Sequence, residues 1–345
     1  MHIPDAVLDP KVLAATGLVA AGGVAYGSWA LRGALRDRTP VLMGSMAAFV
    51  FAAQMVNFPL PFVPASGHLL GGVLAAVLLG PWAGALVIGA VLVVQCLLCG
   101  DGGLTALGAN FVNMGLIGSV GGYAIYATVR RLIGGGAGVI LGAMVAAWFS
   151  VILASGAFAV ELAASGRGPG FLTVLEWMAL VHSAIGLGEA LITGTVLRFL
   201  LLVRPDLIPD PGPALVTGRG AQEIVGGVAG PIAAPGASRW GQVLIGGLAV
   251  SLAVAIFLAP FASEFDDGLE WVGAKLGFVR EAPPVIPAPI PDYRLNIPGL
   301  SHPRLATALA GAIGTLVVFG VGVGLARGLS ARDSSPWPKA NGPEP

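Results

Sequence analysis

Long apolar runs alternate along this chain with short clusters of Gly, Pro, Arg and Asp, and most of the runs are long enough to cross a membrane as helices. The first covers residues 12–31 and is followed by Arg32, Arg36 and Arg38. Residues 41–56 form the second, which ends at Asn57-Phe58-Pro59. The run at 68–79 is too short to cross alone, and Gly80-Pro81 breaks it, so a tilted or interrupted helix is expected there. Residues 82–98 then lead to the glycine-rich turn Cys99-Gly100-Asp101-Gly102-Gly103. Further spans are predicted over 104–129, 139–162 and 171–203.

The basic residues orient these runs. Arg32, Arg36 and Arg38, the Arg130-Arg131 pair and Arg204 all fall on one predicted side, which the positive-inside rule makes cytoplasmic; Arg167 is the outer exception. The N-terminus is then expected outside, with His2, His68 and Asp101 near one outer face. The start of the chain lacks the basic segment of a signal peptide, so the first run is read as a retained helix.

After residue 203 the pattern changes. Residues 204–239 are rich in Pro, Gly and Ala without sustained periodicity and read as a cytoplasmic linker. Two more spans, 244–258 and 305–326, enclose a polar, Pro-rich outer loop over 263–302, and a Pro-rich tail follows to residue 345. The expected architecture is an all-α polytopic membrane protein: a bundle of about seven helices over 1–203, the linker 204–239, and a two-helix module with an outer loop over 240–345.

Composition agrees with the pattern and narrows the choices. The 345 residues are 56% hydrophobic and only 10% charged, with a mean hydropathy of +0.86. Lys plus Arg (18) balance Asp plus Glu (18), so no basic field recruits nucleic acid. The 53 glycines allow helices to approach closely.

Candidate chemistry begins at Met1-His2. A free amine followed by histidine can chelate through the amine, the deprotonated His2 amide and the imidazole, a planar nitrogen set that suits Ni(II) or Cu(II) and, less obviously, Co(II). Any chain can also begin this way by chance. His68 would supply a fourth nitrogen, the alternative being a satisfied core histidine. Asp101, Asn110 and Asn113 are candidates for orienting the ligands by hydrogen bonds, with Asn110 and Asn113 sharing a helix face; amide bonding between helices is the competing reading. His182 and Glu189, seven apart on one helix, could relay ions or protons or simply bond packed helices together. Cys96 and Cys99 form a C-x-x-C in an apolar stretch, where small packing residues compete with a soft-metal or redox pair. No phosphate-cradling G-x-x-x-x-G-K-[ST] and no H-E-x-x-H occurs, so an ATP drive must come from elsewhere and a zinc protease has no support.

Taken together, Met1-His2-Ile3-Pro4-Asp5, Asn57-Phe58-Pro59, Ser66-Gly67-His68-Leu69-Leu70-Gly71-Gly72, Asp101-Gly102-Gly103 with Gly108-Ala109-Asn110, and the run His182 to Ala190 resemble the substrate-specific M component of cobalt/nickel energy-coupling factor (ECF) transporters. Residues 240–326, with Asp267-Gly268-Leu269-Glu270-Trp271, resemble the small N component, so the chain looks like an M–N fusion. Two positions depart from the family pattern: Ala6 stands where glycine is usual, and Asp266 where the second module usually has proline.

The resemblance implies capture of Ni(II) or Co(II) as transported substrate at the outer face of a bacterial or archaeal cell membrane by Met1, His2 and His68. It also implies a membrane coupling subunit (T or Q type) and ABC-type ATPase subunits as partners in the bilayer. Two rival readings are a polytopic membrane metalloenzyme built on His68, His182 and carboxylates, and a self-sufficient secondary transporter. The first needs His68 and His182 on one cavity, whereas the predicted topology puts His182 half-way along its helix.

Overall fold

The computed structural model describes residues 1–32, 39–209, 237–279, 285–298 and 302–330, with no side-chain description for 237–240. Arg36, Arg38, most of the expected linker and the expected tail lie outside these residues. Apart from one small hairpin, the regular elements of the described residues are all helices. Its helices are α1 (Pro10–Leu31), α2 (Thr39–Gln54), α3 (Gly72–Leu79), α4 (Pro81–Cys99), α5 (Leu107–Ile133), α6 (Gly135–Ala164), α7 (Phe171–Val203), α8 (Gly241–Phe261), α9 (Gly268–Leu276) and α10 (Pro303–Ser330). Seven of them are long and apolar enough to cross a membrane: α1, α4, α5, α6, α7, α8 and α10. The all-α polytopic architecture expected from the sequence is the one observed.

Local chemistry explains the helix ends. Asp9 caps α1 by accepting from the Lys11 amide at 3.0 Å, and Pro10 fills the first helical position, where no donor is lost. The expected break at Gly80-Pro81 is a turn: Gly80 takes φ 89, Pro81 starts α4, and α3 packs back on α4. Eight residues give α3 a length of about 12 Å, less than half an apolar bilayer core. Both α4 and α5 contain π-helical stretches, over Gln95–Cys99 and Phe111–Gly121. That detail was not visible in the sequence pattern.

Packing differs between the two faces of the bundle. Met43, Phe51, Leu74, Ile88, Met114 and Phe158 are fully buried among the helices. In contrast Leu18, Leu180, Leu187 and Leu191 are more than half exposed, an arrangement that a lipid solvent tolerates and water does not. Helices α2 and α10 pack tightly, with Gly44 against Val323 and Gly322 against Ala47, so the last helix belongs to the same body as the first module.

The expected outer loop after α8 contains structure. Asp267 and Glu270 form a capping box that starts α9: the Glu270 amide donates to Asp267 Oδ1 at 2.8 Å while the Glu270 carboxylate accepts from the Asp267 amide. Leu269 and Val272 are buried, and Trp271 meets Trp177 of α7 edge-on, with Lys275 over both rings. Ser66 of the hairpin Phe58–Pro59/Ser66–Gly67 is bridged to Asp267, its amide donating to Asp266 O at 2.8 Å. The loop therefore lies on the mouth of the first bundle.

Candidate metal centre

The first five residues fold into the bundle. Met1, His2 and Ile3 are buried, and the segment is fastened by backbone bonds. The Ile3 amide donates to Asn110 Oδ1 at 2.8 Å, Asn110 Nδ2 returns a bond to Ile3 O at 3.1 Å, and the Gly103 amide donates to Ile3 O at 2.8 Å. Asp5 accepts from the amides of Leu104 and Thr105 at 3.3 and 2.9 Å. On the opposite side the Asp9 amide donates to Ser165 Oγ at 2.9 Å, and Arg167 donates to Ala6 O. Arg167, the exception to the basic-side pattern, thus has a local task.

This fastening places the terminal amine of Met1 2.8 Å from His68 Nε2. The His2 and His68 rings stack at 5.2 Å between centroids, tilted by 20°. His68 itself is held from behind. Its Nδ1 lies 3.0 Å from Leu69 O, which assigns the proton there and leaves the Nε2 lone pair facing the amine. The loop bearing His68 is clamped by Glu189, whose two oxygens accept from the Leu70 and Gly71 amides at 2.5 and 2.9 Å. Glu189 sits at the N-terminus of α3, where orphan amides and the helix dipole favour an anion.

Asp101 approaches His2 from the other side, with Oδ1 3.1 Å from His2 Nδ1 and Oδ2 accepting from the Tyr293 hydroxyl at 2.5 Å. Burial lowers the His2 imidazole pKa to about 4, with the Asp101 carboxylate opposing and the terminal ammonium and His68 adding to the shift, so this ring is neutral near pH 7. Burial and the Asp101 charge together hold the Tyr293 phenol well above its ordinary value.

The sequence candidates separate as follows. Met1, His2, His68, Asp101 and Asn110 meet around one point. Asn113 does not join them: its Nδ2 donates to Glu161 Oε2 at 3.0 Å. Asn110 and Asn113 share a face only at α-helical pitch, and the π-helical stretch that begins at Phe111 removes that face. His182, expected far from His68, lines a small cavity of about 10 Å³ together with Met1, His68 and Asp267. The clamp on the His68 loop draws it down to the level of mid-α7. His182 Nδ1 lies 2.9 Å from Met178 O, and its buried Nε2 has no protein partner among the described residues. Cys96 and Cys99 are buried free thiols in the π-helical end of α4.

Four further residues reach the site: Gln95, Gln54, Asp267 and the Tyr293 already described. Gln95 Oε1 lies 3.2 Å from His2 Nε2, and Gln95 Nε2 donates to Gln54 Oε1 at 2.8 Å. Asp267 arrives from the second module, with Oδ2 2.5 Å from the Met1 amine and 3.8 Å from His68 Nε2. Burial pushes the Asp267 carboxyl up, yet the terminal ammonium and His68 outweigh it and hold its pKa well below the usual carboxylate range. One donor atom each from His2, His68 and Asp267 lie within 4.8 Å of one another, a grouping able to hold a metal ion. The sequence signal for Asp267 was the D-x-x-E capping pattern, which marks a helix start but not its direction.

The helical membrane body, with buried histidines gathered at one mouth, is that of a metal-transport protein, as the comparisons with known proteins show. Residues 2–207 match the family model described as the cobalt uptake substrate-specific transmembrane region, and residues 241–331 match the PDGLE domain. The chain belongs to that cobalt-uptake family and carries the PDGLE domain fused behind it. The fused nickel transport protein NikMN of Rhodobacter capsulatus is 32% identical, over 96% of this chain and 98% of that one. A chain of Archaeoglobus fulgidus, provisionally given the same name, is 34% identical over 95% and 98%. A crystal structure titled as a truncated transition metal transporter matches with a TM-score of 0.53 at 30% identity, covering 58% of this chain and 98% of that one. These relatives are transport proteins, so the chain is a transporter subunit and the membrane-metalloenzyme alternative is set aside.

Proposed function

We propose that this chain is the substrate-binding membrane subunit of an ATP-driven uptake system for Ni(II) or Co(II). The metal is captured by the Met1 amine, the His2 amide and imidazole, and His68. A separate T- or Q-type coupling subunit and ABC-type ATPases supply the energy. On this reading the protein lies in a bacterial or archaeal cell membrane with its N-terminus outside, and residues 1–203 and 240–345 act as two modules joined by 204–239.

The observation that carries the reading is the 2.8 Å between the Met1 amine and His68 Nε2. Two ligands at right angles on bonds of about 2.0 Å stand about 2.8 Å apart. The neutral His2 ring beside them needs only to turn Nδ1 away from Asp101 to close the chelate. Displacing the protons of amine and amide is the ordinary requirement of such a donor set. One residue added before Met1 turns the terminal amine into a peptide nitrogen and so removes it from the chelate, and circular dichroism checks that the helices persist. Equilibrium binding of Ni(II) to the purified chain should then be lost, and persistence of tight binding would refute the assignment. Reconstitution with and without the ATPase partners separates ATP-driven uptake from a secondary mechanism.

A further inference from the structure

We propose that the second module supplies a metal ligand of its own, Asp267 Oδ2, which adds one oxygen to the nitrogen set of the first. This rests on the capture site proposed above. The carboxylate is divided between two tasks. Oδ1 accepts from the Glu270 amide at 2.8 Å and so anchors α9, whereas Oδ2 points at the Met1 amine from 2.5 Å and at His68 Nε2 from 3.8 Å. An oxygen sharing a metal with those two nitrogens would stand about 2.8–3.0 Å from each at right-angle bonds of about 2.0–2.1 Å. The observed 2.5 and 3.8 Å bracket that value, so a shift of about 1 Å completes the contact.

Charge makes the exchange balanced. In the metal-free chain the Asp267 side chain is only 12% exposed, and its counter-ion is the terminal ammonium. When M²⁺ binds, the ammonium gives up one proton and the His2 amide another. The product, M²⁺ with one amidate, carries the same single positive charge as the ammonium it replaces. A buried carboxylate stripped of its partner would be strongly destabilising, and the bound ion is the cation that remains beside it. Tyr293, bonded to Asp101, gives the same module a second hold on the site.

The test uses the full chain loaded with Ni(II), and the variants Asp267→Asn and Asp267→Ser, both of which keep an N-cap residue for α9. X-ray absorption of the wild-type chain should show five light-atom ligands and no square-planar pre-edge feature. Both variants should show a four-coordinate planar site and bind Ni(II) at least tenfold more weakly. Unchanged spectra and affinity in the variants, or a planar four-coordinate wild type, overturn the role of Asp267 alone. Tight Ni(II) binding by a chain extended before Met1 overturns the capture site itself.

Discussion

The α-amine of Met1 and Nε2 of His68, 67 positions apart in sequence, stand 2.8 Å from each other in a buried setting. Neither group could be brought there by local structure. The amine is fixed by Asn110 through Ile3, and the imidazole by Glu189 through Leu70 and Gly71. Replacing His68 by Ala removes one nitrogen while leaving both fastenings in place. Ni(II) affinity should fall by at least about 100-fold with the helical content unchanged, as read by calorimetry and circular dichroism. A loss under tenfold would exclude His68 as a ligand.

Acid should weaken the metal-free protein and the metal site for separate reasons. The His2 pKa is about 4 in the fold against 6.5 for a free imidazole, so its contribution is fully present above pH 6.5 and is lost as pH falls toward 4. That difference amounts to about 3 kcal/mol at most. Asp267, also depressed, acts with the same sign, whereas Glu270, raised to about 7 by burial and by the Asp267 and Asp101 charges, loses its contribution as pH rises through 7. Between pH 6.5 and about 4.5 the His2 and Glu270 changes therefore oppose each other, and thermal midpoints should drop below about pH 4.5, where His2 and then Asp267 act unopposed. Metal affinity should fall by about 100-fold per pH unit while two protons are displaced; a pH-independent affinity would exclude amine and amide ligation.

Glu189 is a clamp on the His68 loop. A glutamine in its place offers one acceptor oxygen where two are used, leaving the Leu70 or Gly71 amide unpaired in a buried setting. The expected loss is about 1–3 kcal/mol, with weaker Ni(II) binding through a loosened His68. Hydrogen exchange at Leu70 and Gly71 should rise. If Glu189→Gln altered transport but not those amides, a role in moving ions would be favoured instead.

Ala6 has φ 66, a left-handed conformation that a Cβ opposes. The position is exposed and Arg167 holds its carbonyl, so the turn is kept despite the residue. Ala6→Gly should stabilise the folded chain by about 1 kcal/mol, relief of strain exceeding the entropy that glycine adds to the unfolded chain. A fall in thermal midpoint would contradict this.

The helical body and the terminal site were legible because they rest on composition and on short-range chemistry. Apolar runs, basic ends and Gly80-Pro81 mark where helices begin and stop, and Met1-His2 carries amine, amide and imidazole nitrogens side by side in the sequence itself. What escaped depended on pitch or on distance. The π-helical stretch from Phe111 sends Asn113 to Glu161, although Asn110 and Asn113 share a face at α-helical spacing. Asp267 is 266 positions from Met1, and no periodicity connects them. Gln95 lies within the apolar run 82–98, and nothing in its spacing connects it to His2.

Gln95 bears on which nitrogen of the His2 ring carries the proton. To bind a metal through Nδ1, the His2 imidazole must carry its proton on Nε2, and a neutral ring has only one proton to place. Gln95 Oε1, 3.2 Å from Nε2, is the acceptor that selects this tautomer, while Asp101 at Nδ1 favours the other. The two partners therefore favour different tautomers of one ring. Gln95 is in turn oriented by Gln54, whose Nε2 donates to Leu70 O at 2.9 Å on the His68 loop. One relay of amides thus connects the two imidazoles. Gln95→Leu, similar in volume and without an acceptor, should lower Ni(II) affinity by about 10–100-fold. Asp101→Asn, which weakens the competing hold on Nδ1, should lower it less or raise it. Equal losses in the two variants would mean that both residues merely pack around the site and that the tautomer is not under their control.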